Sequence, residues 1–296
     1  MTSYSPRAAA LVAEMEMAAA ADPARTVAFQ GAPGAYSHQA VREKFPGQPA
    51  LPCVAFEDAI EAVQTGRAQV AMIPIENSLH GRVADVHFLL PESGLHIVDE
   101  HFVRVRHCLL GLATRAELRA VLSHTQALGQ CRTHLRAWGL EPVAHFDTAG
   151  AAAEVADAGD ATRGAIASRL AGELYGLQIL AEGVEDADHN TTRFVVLSRD
   201  AGSVVPGTRT MTSVMFETRN IPAALYKALG GFATNGVNIT KLESYLRDGR
   251  FEAAEFYMDV EGAPEEPGLK LALEELAFHS KWLRLIGTYP RSAARD

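Results

Sequence analysis

The sequence predicts a two-lobed α/β region followed by a smaller α+β unit, and three observations carry that prediction. Between residue 26 and about residue 200, short β-rich runs alternate with helical windows, as expected of layers built on parallel strands. Gly202, Pro206 and Gly207 then interrupt the pattern within residues 201–209, a composition shift that marks a linker. Residues 210–290 resume with a βαββαβ order, the ferredoxin-like sandwich in which two helices cover one face of an antiparallel sheet. A chain of 296 residues, 48% of them hydrophobic, is long enough for more than one core.

Residues 1–25 read as a helical lead-in, because Glu14 and Glu16 interrupt what would otherwise be the apolar segment of a secretory signal. Residues 27–29 read as a strand that runs into Gly31, Pro33 and Gly34, with Ser37 as a helix cap. The chain therefore turns at the carboxyl end of a strand, where open α/β sheets place ligands. A helix over 56–65 stops at Gly66, and a buried strand over 70–75 ends in Glu76, Asn77 and Ser78. The extended stretch 95–112, with alternation at Ile97, Val103 and Val105, predicts a strand crossing between two lobes that hinge around a cleft. Further strands are expected at 120–123, 142–146, 164–167 and 193–197, and helices at 126–138 and 148–158.

Beyond the linker the pattern gives a strand at 212–217 and a helix with Leu225, Leu229 and Phe232 on one face. A strand over 237–246, a turn at Arg247, Asp248 and Gly249, and a strand alternating Phe256, Met258 and Val260 come next. A helix with Leu269, Leu273 and Leu276 aligned and a strand at 283–288 complete the set. One sheet face and an edge strand are left to cover, so pairing with a second copy is expected.

The charge balance, 27 basic against 36 acidic residues and a net charge of −9, argues against a nucleic-acid or anionic-membrane footprint. No apolar run reaches the roughly 20 residues of a spanning helix. Cys53, Cys108 and Cys131 show no CxxC spacing, which speaks against a disulfide framework or thiolate zinc site and for a reducing, cytoplasmic compartment. GxSxG, GxxxxGK, GxGxxG and HExxH are all missing, so serine-hydrolase, nucleotide, dinucleotide and metal chemistry lack their markers. No metal or cofactor is expected.

Three polar clusters lie at predicted strand ends: Glu76-Asn77-Ser78, Ser123-His124-Thr125-Gln126 and Asn190-Thr191-Thr192-Arg193. Taken singly, Ser78, Ser123 and Asn190 are equally well read as caps of helices or turns. Together they offer hydroxyls, amides, a carboxylate and a guanidinium. Arg193 stands at the mouth of an apolar strand, where either a bidentate carboxylate ligand or an ion pair with Asp186 or Asp188 accounts for it.

The strings FQGAPGAYSHQA, PIENSLHGRV, SHTQALGQC, DTAGAAAEVA, GAIAS and NTTRF occur in the order found in prephenate dehydratases, and the chain resembles that family from residue 27 to about 197. The segment that follows resembles the family's ACT regulatory domain, with IPAALYKAL at its GAL-type turn and LES at residues 242–244. The resemblance implies lobes like those of a type II periplasmic binding protein, with the substrate between them. It implies catalytic roles for Thr192, Arg193, Asn77, Gln130 and Glu76, and substrate contacts from Ser37, Ser78, Ser123, Gln126, Thr148, Asn190 and Phe194. It also implies a phenylalanine site at Ala223, Ala224, Leu225, Tyr226, Asn238, Glu243 and Ser244, and a homodimer or homotetramer formed through the ACT domain.

Two departures stand out. Thr125 replaces the usual proline of SHPQ, and Glu243-Ser244-Tyr245-Leu246 stands where many relatives have ESRP, so the turn that proline imposes is missing. The implied reaction is conversion of prephenate to phenylpyruvate with loss of water and carbon dioxide, under feedback by phenylalanine. The lead-in is too short for a fused chorismate mutase domain, so a monofunctional enzyme is expected. Arogenate as substrate, or a non-catalytic amino-acid sensor that uses the same clusters to hold ligand, are the competing readings. The intact Thr192-Arg193-Phe194 set speaks against the sensor.

Overall fold

The computed structural model describes residues 4–205, 207–219, 221–246 and 255–296. Pro206 of the expected linker and the expected turn at 247–249 lie outside the described residues. The described chain divides into two compact units, residues up to Val83 with His101–Phe194, and Ala84–Glu100 with Val195–Asp296. Both units are thus discontinuous in sequence, where the sequence pattern suggests a single cut at 201–209.

The chain opens with α1 (Pro6–Ala21), β1 (Val27–Gln30), α2 (Tyr36–Lys44), β2 (Ala50–Cys53), α3 (Phe56–Gln64), β3 (Val70–Asn77), the short β4 (Gly81–Arg82), α4 (Ala84–Ser93) and β5 (His96–Arg104). It continues through β6 (Cys108–Gly111), β7 (Ala120–His124), α5 (Thr125–Gln130), α6 (Arg132–Trp138), β8 (Glu141–His145), α7 (Thr148–Ala158), β9 (Arg163–Ala167), α8 (Arg169–Tyr175), β10 (Gln178–Glu182) and β11 (Thr191–Ser198). One sheet has the order β2-β1-β3-β11-β5 with β4 beside β3, and a second has the order β10-β6-β9-β7-β8. Within them β1 runs parallel to β2 and β3, and β7 parallel to β8 and β9, while β6 is antiparallel to β9 and β10. The strand pattern for this region is therefore a pair of mixed sheets.

The chain passes from the first sheet to the second only after β5 and returns only before β11. These two crossings are joined where the Val105 N–H donates to the Asn190 carbonyl at 2.8 Å and the Val184 N–H to the His107 carbonyl at 3.1 Å. The loop after β1 is seated on α8: Ser168 Oγ donates to the Gly34 carbonyl at 2.6 Å and Tyr175 Oη to the Pro33 carbonyl at 2.7 Å. Gly34 has a φ of +92°, and a Cβ there would stand 2.8 Å from the Ala171 Cα, so only glycine fits.

Beside this loop His38 stacks on Phe29 with ring centroids 5.0 Å apart, and its Nδ1 accepts the Gly34 N–H at 3.1 Å. Burial, aided by Arg42, lowers the His38 pKa to about 4. An unfolded histidine takes up its proton near pH ~6.5, so below that pH the unfolded chain binds a proton that the folded chain refuses. Stability from this group is thus complete above ~6.5 and declines by up to about 1.4 kcal/mol per pH unit as the pH falls towards the folded value. His38→Gln should flatten that stretch of the curve. Urea midpoints at about pH 5 and about pH 7 decide it, and an unchanged slope would remove His38 as the cause.

The C-terminal unit contains β12 (Thr210–Thr218), α9 (Ala224–Thr234), β13 (Ile239–Tyr245), β14 (Glu255–Glu261), α10 (Pro267–His279) and β15 (Ser280–Pro290). Its antiparallel sheet has the order β13-β14-β12-β15. Val214, Phe216, Met258 and Val260 project from one face onto Ala228, Phe232, Leu269 and Leu276 of the two helices. The alternate residues form a buried polar layer, in which Asp259 accepts from Ser213 Oγ and from Tyr257 Oη at 2.6 Å, and Ser213 also meets Tyr289 Oη at 2.8 Å. Arg295, near the C-terminus, places Nε and Nη2 2.7 and 2.8 Å from the two oxygens of the buried Glu100. Gly287 packs directly on β5, where a Cβ would come 2.0 Å from the Ile97 carbonyl oxygen.

Ala223 caps α9 in the left-handed region, with φ 60° and ψ 19°, and is the described non-glycine residue with positive φ. That conformation costs an L-residue roughly 1–2 kcal/mol, which glycine avoids. Ala223→Gly should therefore raise the stability of this unit by about 1 kcal/mol, seen as a higher thermal midpoint. A lower midpoint would show that the αL strain is offset by the alanine methyl.

Candidate active site

Two of the three polar clusters of the sequence, those at residues 76–78 and 190–193, converge at the crossings. β3 ends with Glu76 and Asn77, β11 begins with Thr191 and Thr192, and the Asn77 amide nitrogen donates to Thr192 Oγ1 at 3.0 Å and to Asn190 Oδ1 at 2.7 Å. Asn77 Oδ1 accepts the backbone N–H groups of Leu79 and His80 at 3.0 and 3.1 Å, so the amide is fixed at both ends. Ser78 Oγ donates to the His189 carbonyl and accepts the Thr191 N–H, which ties the two strand ends together. Thr192 Oγ1 is an acceptor here, and its own proton finds no acceptor among the described residues. Asn190, only 1% exposed, likewise keeps an amide nitrogen with no partner among them.

Arg193 is 2% exposed and its Nη1 lies 2.9 Å from Glu76 Oε1. Its ion-pair partner is thus the adjacent strand's Glu76, whereas the sequence offered Asp186 or Asp188. The guanidinium holds a carboxylate at the margin of the cluster in a charge-assisted bond. Gln130, the last residue of α5, enters from the second sheet with its amide nitrogen 2.6 Å from His80 Nε2 and its carbonyl oxygen 2.7 Å from His107 Nε2. His107 in turn meets Tyr36 Oη at 2.8 Å. His107 and Tyr36 were not singled out from the sequence: the histidine lies in an apolar extended run and the tyrosine in a helix start.

Other expected contacts fall elsewhere. Ser123 is fully buried and its hydroxyl donates to the Ile166 carbonyl at 2.6 Å, so it serves the sheet and not a ligand. Phe194 is a core residue at 1% exposure, since β11 is buried on both faces from Arg193 to Leu197. Ser37, Gln126 and Thr148 lie on the first turns of α2, α5 and α7, and among the described residues they make no hydrogen bond to the cluster. In the C-terminal unit, Ala223 to Tyr226 form the cap and first turn of α9, with Ala224 buried, Leu225 half-buried and Tyr226 exposed. Asn238 donates to Glu261 at 3.2 Å, Glu243 pairs with Lys241 at 3.2 Å, and Glu243 and Ser244 belong to the edge strand β13.

Burial raises the Cys108 thiol to about 11, which keeps it from acting as a thiolate nucleophile. Among the described residues no group of three or more His, Cys, Asp or Glu side chains is placed to hold a metal ion, and no helix is long and apolar enough to cross a membrane. What converges is a set of amides, hydroxyls and imidazoles. Two mixed sheets bridged by paired crossings, with such a set at the bridge, form a candidate active site suited to a small polar substrate.

The model of the prephenate dehydratase family matches residues 27–202, and the chain belongs to that family, a class of lyases. It is 53% identical over 274 residues to a bifunctional N-acyl-homoserine lactone acylase/prephenate dehydratase of Komagataeibacter europaeus, spanning 92% of this chain and 98% of that protein. It is 40% identical over 277 residues to the chloroplastic arogenate dehydratase/prephenate dehydratase 2 of Arabidopsis thaliana, spanning 89% of this chain and 72% of that one. Among solved structures, a quorum-quenching acylase called GqqA superimposes with a TM-score of 0.87 at 52% identity, over 92% of this chain and all of that one. The prephenate dehydratase of Arthrobacter aurescens in complex with L-Phe gives 0.81 at 28% identity, over 90% of both chains.

Proposed function

We propose that this chain converts prephenate to phenylpyruvate in phenylalanine biosynthesis, with Thr192 as the residue that assists departure of the ring hydroxyl. The observation that carries the reading is the Asn77–Thr192 bond: Asn77 donates to Thr192 Oγ1, so the threonine proton is left to point at a ligand. In the reaction the bond between the ring and its carboxylate breaks, releasing carbon dioxide. Its electron pair moves into the ring, the ring C–O bond breaks, and hydroxide leaves as water with a proton supplied along the Thr192 hydrogen bond. A threonine hydroxyl is a weak acid, so its contribution is a bond that strengthens as charge develops on the leaving oxygen. Asn190 and Gln130 hold the dianion, and Arg193 acts by fixing Glu76.

The C-terminal βαββαβ unit acts as an ACT domain, residues 26–200 as the catalytic domain with lobes like those of a type II periplasmic binding protein, and residues 201–209 as the linker. Phenylalanine bound near α9 and β13 of paired copies inhibits turnover. The L-Phe complex of the Arthrobacter aurescens protein supports this part. The test is phenylpyruvate formation from prephenate by the purified protein without added metal or cofactor, with arogenate in parallel and phenylalanine titrated in. Turnover suppressed by phenylalanine is the expected result. Turnover of arogenate alone would reassign the substrate, and indifference to phenylalanine would reassign the C-terminal unit.

A second activity is favoured by the 53% identity to a bifunctional protein that is matched over 98% of its length. On this reading the chain also hydrolyses the amide of N-acyl-homoserine lactones to a fatty acid and homoserine lactone. Release of free homoserine lactone checks it, and its absence under conditions of active dehydratase turnover would reject it.

A further inference from the structure

We propose that Tyr36 and His107 are positioning residues for Gln130, forming with His80 a hydrogen-bonded line that sets which end of the Gln130 amide acts as donor at the reacting centre. The inference rests on the dehydratase reading of this site. The line runs from Tyr36 Oη to His107 Nδ1 at 2.8 Å, from His107 Nε2 to Gln130 Oε1 at 2.7 Å, and from Gln130 Nε2 to His80 Nε2 at 2.6 Å. The backbone N–H of His80 donates to the oxygen of Asn77, whose nitrogen binds Thr192. The line therefore ends on the residue that orients the reactive hydroxyl.

Its direction is determined by counting protons. Each neutral imidazole has one donor and one acceptor nitrogen, and a glutamine amide presents a donor at one end and an acceptor at the other. With Gln130 Oε1 towards His107, the imidazole must carry its proton on Nε2, and Nδ1 must accept from the tyrosine. Gln130 Nε2 is then a donor to His80, with a second N–H left for a ligand. Reversing any one member forces all the others to reverse. The Tyr36 hydroxyl is also placed to donate to the Arg106 carbonyl at 2.9 Å, and it has a single proton. Given to His107 Nδ1 that proton supports this setting, and given to Arg106 it makes Nδ1 the donor and supports the reversed one. Tyr36 thus selects between the two settings.

Backbone contacts tie the segments that carry His107 and Gln130 to the return crossing. Glu185 Oε2 accepts the backbone N–H of His107 at 2.8 Å, the Asp186 backbone N–H donates to the backbone carbonyl of Gln130 at 2.6 Å, and the Asp186 carboxylate accepts the Thr133 backbone N–H. Two adjacent residues of the return crossing, Glu185 and Asp186, therefore fix the backbones of both His107 and Gln130. Burial lowers the His107 pKa, against the opposing effects of Gln130 and Glu185.

The experiment is a double-mutant cycle on kcat between His107→Leu and Gln130→Ala, with Tyr36→Phe as the milder probe, alongside ¹⁵N spectra of the imidazoles in the full chain. Each single variant should lose about 10–100-fold in kcat with KM moved less, and the double variant should be no worse than about twofold below Gln130→Ala alone. His107→Gln, which can still offer an N–H to Gln130, should recover part of the loss. Additive losses, or full kcat in His107→Leu, would overturn the proposal. Imidazole ¹⁵N shifts of His107 should change in both Tyr36→Phe and Gln130→Ala, and unchanged shifts overturn the line whether or not the enzyme turns over. A wild-type chain inactive on prephenate and arogenate sinks the dehydratase reading instead, which separates the two failures.

Discussion

Thr192→Ala is expected to lower dehydratase turnover about 10²–10³-fold, the usual loss when one well-placed donor to a developing anion is removed. The side chain is half-buried and its only described partner donates to it, so its removal leaves Asn77 with its second acceptor at Asn190. Folding should therefore change little. The loss should fall on kcat, because the hydrogen bond strengthens only as the leaving oxygen gains charge. Thr192→Ser keeps the hydroxyl and should recover most of the rate. Phenylpyruvate formation at saturating prephenate decides the matter, and full activity in Thr192→Ala would reject the assignment.

Arg295→Ala should destabilise the C-terminal unit by about 1.5–3 kcal/mol, since it removes two charge-assisted hydrogen bonds from a buried carboxylate. Glu100 is 2% exposed and receives both a bidentate contact from Arg295 and the Ser292 N–H at 3.0 Å. Arg295 also stands 3.8 Å from Asp259, so its guanidinium reaches two buried acids. Urea unfolding can be followed by Trp282, whose indole donates to Glu217, in a Trp138→Phe background that silences the other tryptophan. Adding Glu100→Gln to Arg295→Ala should restore part of the loss, because an amide needs no counter-ion. A change of less than about 0.5 kcal/mol, the scale of an ordinary surface substitution, would show that water reaches this pair.

The elements most legible in the sequence were those whose burial is simple. β1, β3, β7, β9 and β11 each contain a short apolar run, and the observed strands include most of the expected residues. β2 escaped because Pro52 sits inside a four-residue run, and such a proline is tolerated since β2 is an edge strand. The helix expected over 126–138 is two pieces, since Cys131 leaves the helical region at φ −111° and ψ 14°. At the site, Glu76, Asn77, Asn190, Thr192 and Gln130 were readable as motif residues. Ser123 and Phe194 belong to the same strings, yet their side chains are claimed by the core. His107 and Tyr36 carried no local signal, because their meaning arises only when segments 71 residues apart meet.

The paired crossings have a consequence for control of the enzyme. Thr192 lies at the start of the strand that follows the return crossing, while Gln130 ends a helix that follows a strand of the second sheet, so the two proposed catalytic groups are carried by different sheets joined at the paired crossings. On the proposed reading, a small torsion at those crossings would change the separation of the two groups. An inhibitor of such a machine has no need to compete for space with the substrate. It can leave the door open and detune the lock.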